Sequence, residues 1–282
     1  MATILVTGGA GFIGSHLVEA LLERRESEVV VLDDYSTGSE RNHVAGARYV
    51  RGSTREIAQL IDVSPHIVFH LGEYARTSAS FSEMSRVFES NVEGTFQVLE
   101  FCRAHGSKLV YAGSSTKFSD GGSGRTHSPY AWTKATNTDL VVRYGEWFGL
   151  PHAIVYFYNV YGEREIEEGP YATFIAALKR RYLRGEKLPI VSPGTQRRDF
   201  TYVKDIARGL LRVGERGQGD GYCLGTGREY SLLDVAALFG GEVEMLPERP
   251  GDRRSSTIDL TKSRVELGWQ ATVRFEDYIA RV

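Results

Sequence analysis

Tyr130 and Lys134 stand four positions apart in Tyr130-Ala131-Trp132-Thr133-Lys134, at the head of a stretch with helical periodicity, so their side chains share one face. A cationic ammonium beside a phenol favours the phenolate and makes the tyrosine a candidate general base. This Tyr-x-x-x-Lys spacing occurs once, and its weight comes from what precedes it. Lys108-Leu109-Val110-Tyr111-Ala112-Gly113 is an apolar run that opens into the hydroxyls of Ser114, Ser115 and Thr116, as a strand would at the carboxyl edge of a sheet. Nearer the N-terminus, Gly8-Gly9-Ala10-Gly11-Phe12-Ile13-Gly14 links an apolar run to an amphipathic one. Glycines at such a turn let backbone N–H groups and a helix N-terminus approach a pyrophosphate. The string fits the triplet Gly9, Gly11, Gly14 and also Gly8, Gly11, Gly14. Asp33 closes the next apolar run, where a carboxylate would accept hydrogen bonds from the adenosine ribose and repel a 2′-phosphate. The expected cofactor is therefore NAD rather than NADP.

The elements that must hold these groups follow from periodicity. Short apolar runs at 4–7, 29–33, 48–51, 67–71, 108–112 and 153–157 alternate with helical stretches, notably 13–24, 88–104 and 130–148. That rhythm predicts βαβ units and an α/β fold of Rossmann type, a doubly wound parallel sheet over residues 1–158. From about Tyr158 the rhythm loosens, and a smaller C-terminal α/β lobe is expected over 159–282, with chain contributions that interleave and a position on the carboxyl edges of the strands.

Composition narrows the partners. The 282 residues hold 34 Lys+Arg against 36 Asp+Glu, a net charge of -2, which disfavours a nucleic-acid binder working through phosphates. Cys102 and Cys223 are too few for a disulfide framework, the N-terminus lacks signal-peptide character, and no apolar run approaches about 18 residues. A cytoplasmic protein without a membrane span is expected. His66 and His70 straddle a predicted strand, so no metal site is expected. The 31 glycines have no repeat period and must be placed in turns.

Taken together, Gly8/Gly11/Gly14, Asp33, the Ser-Ser-Thr run and Tyr130/Lys134 resemble the extended short-chain dehydrogenase family of nucleotide-sugar epimerases and dehydratases. The resemblance continues through Val68-Phe69-His70-Leu71, Asn91-Val92-Glu93-Gly94-Thr95, Asn159-Val160-Tyr161-Gly162, Gln196 to Val203 and Arg249-Pro250-Gly251-Asp252, so it covers nearly the whole chain in order. It implies a Rossmann sheet holding NAD and a C-terminal lobe holding a UDP-sugar. It further implies that Ser114 and Ser115 meet the sugar, that Tyr130 removes the O4 proton, and that Lys134 also holds the nicotinamide ribose. Further cofactor contacts are implied for Phe12, Ile13, Gly38, Leu71, Gly72, Asn91 and Phe157. Diphosphate contacts are implied for Asn159 and Arg198, and nucleotide contacts for Arg249 and Asp252. The family often forms homodimers through helices corresponding to 88–104 and 130–148.

The departures from the family pattern bear on the reaction. Lys117-Phe118-Ser119 stands where most epimerases have Val-Tyr-Gly, and Ser115-Thr116 stands where 4,6-dehydratases carry Asp-Glu, which disfavours 4,6-dehydration. Gly72-Glu73, followed by Tyr74, stands where the family usually has two small residues, and Gly52-Ser53 stands where it has Gly-Asp, whose acid contacts adenine. The strings 70–76 and 114–118 resemble the hexosamine 5,6-dehydratase branch of tunicamycin biosynthesis. On that resemblance the favoured reaction is 5,6-dehydration of UDP-N-acetylglucosamine with hydride returned to C4. It would need an acid/base pair beyond Tyr130, for which Glu73, Thr116 and Lys117 are the candidates. A UDP-hexose(amine) 4-epimerase is the first alternative and a non-catalytic cofactor-binding regulator the second.

Overall fold

The computed structural model describes residues 2–248 and 258–282. Its centre is a seven-stranded sheet of β1 (Ala2–Thr7), β2 (Ser27–Asp33), β3 (Arg48–Arg51), β4 (Ile67–His70), β5 (Lys108–Ser114), β6 (His152–Phe157) and the strand Gly219–Leu224. The spatial order is Gly219–Leu224, β6, β5, β4, β1, β2, β3, and every pairing is parallel. Successive residues bury into opposite cores. Leu5, Val30, Leu32, Val68, Leu109 and Ile154 lie in one, and Ile4, Val6, Val31, Phe69, Val110 and Val155 in the other. Helices cover both faces, which is why these strands read as apolar runs without alternation.

The chain winds outward from β1 to β3 and then crosses to β4 on the other side of β1, so strand order reverses between β1 and β4. A crevice opens at the carboxyl ends at such a point. The registers Thr7↔His70, His70↔Tyr111 and Ser114↔Phe157 bring the strand ends to that crevice together. Between β5 and β6 runs the helix Pro129–Phe148. Ser128 caps it by accepting from Ala131 N–H at 3.1 Å, Pro129 begins it, and Gly149 ends it in the left-handed conformation. Tyr130 and Lys134 therefore sit in the first turns of a helix anchored at both ends.

Residues beyond 158 do not form a wholly separate body. Ile206, Leu210, Leu211 and Val213 of the helix Val203–Arg216 share a core with Leu17, Val18 and Leu21 of the helix Phe12–Arg24. Gly219–Leu224 completes the large sheet beside β6. The periodicity hid this strand, because Gly219 and Gly221 at its start have φ of 68° and 105° and its pairing register shifts there. The rest forms a third core around Tyr161, Leu178, Ile190, Phe200, Phe239 and Phe275. It carries three short strand pairs: Val160–Tyr161 with Thr201–Tyr202, Arg197–Asp199 with Glu229–Ser231, and Leu188–Val191 with Val243–Leu246. Among the described residues, no helix is long and apolar enough to cross a membrane.

Removing the cap of the helix that carries Tyr130 tests this account. Ser128→Ala should lower stability by about 1 kcal/mol, read as a lower urea midpoint at an unchanged slope; an unchanged midpoint would show that the cap is dispensable.

Candidate active site

A cleft of about 660 Å³ lies over the crevice, lined by the glycine turn, the ends of β2, β4 and β5, and the C-terminal lobe. Gly8 has φ of +73°, and a Cβ there would lie 2.8 Å from the Cα of Gly72; at Gly14 a Cβ would lie 2.1 Å from the carbonyl oxygen of Gly8. Only bare backbone fits this turn. Gly11 is the N-cap of the helix Phe12–Arg24 and contributes no side-chain cap, so the first-turn N–H groups of Phe12, Ile13 and Gly14 face the cleft as an anion site. Asp33 is held by the N–H of Ala10 at 2.9 Å and of Tyr35 at 2.8 Å, and Gly38 packs against its carboxylate. Burial raises the Asp33 pKa, and these two N–H groups oppose the rise. Gly52 and Ser53 line the same end, so the position beside Gly52 presents a hydroxyl rather than an acid. This cradle fits a dinucleotide pyrophosphate with its adenosine ribose at Asp33.

The reactive groups converge at the other end. Tyr130 Oη donates to Ser114 Oγ at 3.2 Å, and Ser114 Oγ lies 2.9 Å from Thr116 Oγ1. All three line the cleft together with Ser115, Leu71, Gly72 and Phe157. The Lys134 ammonium donates to Glu73 and to the carbonyl of Ala112 and stands 4.4 Å from the centroid of the Tyr111 ring. Glu73 Oε1 accepts from Thr95 Oγ1 at 2.8 Å, Asn137 Nδ2 at 2.9 Å and Tyr111 Oη at 3.2 Å. Burial alone would raise the Glu73 carboxyl, but Lys134 and the hydrogen bonds outweigh it and hold it below the usual range. Behind it, His70 bridges Thr95 at 3.0 Å and Thr7 at 2.7 Å; burial brings this imidazole down to about 4, so it is neutral at pH 7.

Three sequence expectations meet a different geometry. Asn91, expected at the cofactor, is fully buried and does not line the cleft. Its amide holds the backbone N–H and C=O of Tyr74 at 2.8 and 3.1 Å and Thr133 Oγ1 at 3.1 Å, which fixes the turn after β4. Lys117, a candidate acid/base, points away from the cleft to Asp220 at 3.0 Å and Tyr156 Oη at 3.2 Å, tying the Ser115–Phe118 turn to the strand Gly219–Leu224. Glu73, another acid/base candidate, lines the cleft but gives its carboxylate to the network just described. On the lobe side Asn159 and Arg198 line the cleft, with Asn159 Nδ2 donating to Asp199 O at 2.9 Å and Arg198 Nη1 to Arg197 O at 2.9 Å. Arg249 and Asp252 lie outside the described residues.

Sequence reasoning passed over Arg76 and Tyr171. Arg76 lines the cleft and donates from Nε to Tyr171 O at 2.9 Å, while Arg86 reaches Tyr171 Oη at 2.6 Å. These bonds join the loop after β4 to the lobe across the cleft mouth. Nothing local in the sequence pairs residue 76 with residue 171; only the fold brings them together.

The profile of the NAD dependent epimerase/dehydratase family matches residues 4–225. The chain belongs to that family. UDP-glucuronic acid decarboxylase 6 of Arabidopsis thaliana is 30% identical over 97% of this chain and 85% of its own length. Among solved structures, the UDP-glucose 4-epimerase of Thermus thermophilus in complex with NAD superposes with a TM-score of 0.90 at 31% identity, covering 98% of this chain and 96% of that one. The dTDP-glucose 4,6-dehydratase DesIV of Streptomyces venezuelae, with NAD bound, gives 0.89 at 27% identity over 99% and 95%. One scaffold thus carries several outcomes, and the family alone does not choose among them.

The glycine turn yields a direct test. Gly14→Ala would press a methyl into the Gly8 carbonyl and weaken NAD roughly 10- to 100-fold in a calorimetric titration, with circular dichroism unchanged; wild-type affinity would rule out this approach of backbone to pyrophosphate.

Proposed function

We propose that this protein is an NAD-dependent UDP-hexose or UDP-hexosamine 4-epimerase that oxidises and re-reduces the sugar at C4. The observation that carries the reading is the hydroxyl chain Thr116, Ser114, Tyr130 opening into the cleft, with Lys134 one helical turn behind Tyr130. NAD, when bound, would supply the acceptor for the C4 hydride and its donor back to the opposite face of C4, which is what inverts the centre. Tyr130 takes the O4 proton as the carbonyl forms and gives it back on reduction. Ser114, bonded to Tyr130, orients the O4 hydroxyl, and Thr116 supports Ser114. Arg198 and Asn159 on the lobe side suit the diphosphate, since a guanidinium matches phosphate oxygens.

This reading is preferred over the 5,6-dehydration that the strings 70–76 and 114–118 suggest. Elimination of water needs an acid for the leaving hydroxyl and a base at C5. Glu73 is ionised and engaged by four side chains, and Lys117 is bonded to Asp220. Thr116 remains, and one hydroxyl does not supply both functions. Return of the hydride to the opposite face of C4 needs the keto sugar to turn over in the cleft but no acid or base beyond Tyr130. We further propose that two copies pair through the helices Gly94–His105 and Pro129–Phe148, whose Phe96, Trp132, Trp147 and Phe148 are exposed.

Three measurements test these proposals. Incubation with UDP-N-acetylglucosamine, UDP-glucose and UDP-glucuronate should give an epimer of unchanged mass from at least one; a product lighter by water or by carbon dioxide would replace the epimerase with a dehydratase or a decarboxylase. Tyr130→Phe should lower kcat about 10²- to 10⁴-fold, and a variant equal to wild type would return the regulator reading. Trp132→Glu should convert a dimer to a monomer in light scattering; a wild-type protein that is already monomeric would remove the pairing proposal.

A further inference from the structure

The epimerase chemistry assigns no proton to Glu73, yet four side chains from three elements of the fold converge on its carboxylate. It comes from the turn after β4, and its donors are Thr95 on the helix Gly94–His105, Tyr111 on β5, and Lys134 and Asn137 on the helix Pro129–Phe148. The side chains of Glu73 and Lys134 are only 4% and 6% exposed. Desolvating two charges is costly, and a well-packed apolar pair would stabilise a fold as well. Stability alone therefore gives little reason for the pair. Function does, because one member is the lysine beside the proton-transferring tyrosine.

We propose that Glu73 is a positioning residue that fixes the Lys134 ammonium beneath Tyr130 and supplies its counter-charge. The proposal rests on the reading that Tyr130 moves the O4 proton. Lysine has a long, flexible stem and a pointlike charge, so its distance from a neighbour is set by what holds its end. Here the end is held by Glu73 and the Ala112 carbonyl, above the Tyr111 ring. The donors around Glu73 hold it in turn, and Asn137 also donates to Asn91 O at 2.7 Å and to Thr95 Oγ1 at 3.2 Å. Glu73 does not act as a base toward substrate, since its oxygens are engaged and its carboxyl is held below the usual range.

The groups that face the ammonium define the pH behaviour. They are Glu73 from the turn after β4, neutral His70 from β4, Tyr111 from β5 and Tyr130 on its own helix, with Arg76 further along the loop after Glu73. Glu73 is the anion among them. Without it, a buried ammonium loses its proton more readily, because desolvation disfavours the charged form. Removing the carboxylate should thus bring the alkaline fall of activity to lower pH.

The experiment compares the full chain with Glu73→Gln, Lys134→Met and the double variant. Glu73→Gln should lower kcat about 10- to 100-fold with KM for the UDP-sugar changed less than about 3-fold, and should move the alkaline limb down by about one pH unit or more. Glu73→Gln added to Lys134→Met should cost little further, because a residue that acts only through Lys134 has nothing left to position once the lysine is gone. A Glu73→Gln enzyme with wild-type kcat and pH profile, or a double variant showing the product of the two single losses, overturns the proposal. Calorimetric titration with NAD needs no turnover: the two single variants should weaken NAD by similar factors and the double by no more. If the wild type turns over no UDP-sugar, the epimerase reading fails while this cycle still decides whether Glu73 works through Lys134. Should Glu73→Gln not fold, Glu73→Asp keeps the charge but withdraws it by one methylene. It should then give a lower kcat with an unmoved alkaline limb, and an Asp variant with wild-type kcat overturns the proposal.

Discussion

A buried ammonium has to find an anion, and in this protein that requirement organises the cleft. Lys134 cannot reach water from where the helix Pro129–Phe148 leaves it, so Glu73 meets it from the turn after β4. That turn is itself held by Asn91 through the backbone of Tyr74, and by Thr7, whose hydroxyl accepts from Gly72 N–H at 3.0 Å. The strand end that approaches the glycine turn is thus the same segment that carries the counter-charge. Gly72 must have no side chain to let Gly8 approach, since a Cβ at Gly72 would lie 2.9 Å from Gly8 N. Close backbone contact at the cofactor end and ion pairing at the reactive end are consequences of one short loop.

The lobe joins this arrangement through the same loop. Arg76 and Arg86 reach Tyr171, and Tyr171 Oη also meets Glu83. Glu165 at the base of that segment accepts from Gly162 N–H at 2.9 Å and Thr173 Oγ1 at 2.5 Å, and burial pushes its carboxyl up to about 7. The wall of the cleft on the lobe side is therefore built from two sequence-distant segments whose contacts are mainly to backbone carbonyls and hydroxyls rather than between opposite charges.

Most of the fold was legible because its signals are local. Six of the seven central strands are apolar runs bounded by turn residues, and the helices between them keep a regular period. The seventh was hidden because its first residues are Gly219-Asp220-Gly221, which read as a turn, and only Tyr222, Cys223 and Leu224 carry the apolar character. In the site, residue type and spacing were enough to single out Ser114, Tyr130, Lys134 and the glycines, because their chemistry is tied to one strand end, one helix turn and one loop. Direction was not legible. Asn91, Lys117 and Glu73 are polar residues near the right strands, but what each side chain binds depends on partners at positions 74, 220, 95 and 137 that no local pattern connects to them.

The charge balance of the reactive end also bears on the outcome. Glu73 and Lys134 form an ion pair, His70 is neutral, and the groups bonded in line with Tyr130 are the hydroxyls of Ser114 and Thr116. Such an arrangement suits the proposed exchange of one proton at O4, and it offers neither a free carboxylate for C5 nor an acid for the 6-hydroxyl. A dehydratase built on this scaffold needs those two groups in addition, and the positions directly after Ser114, where 4,6-dehydratases carry Asp and Glu, hold Ser115 and Thr116 in this chain. The acidic residue the chain does place close by is used to discharge a lysine. Glu73 after Gly72, one of the departures from the family pattern, therefore supports the proposed hydride return rather than elimination.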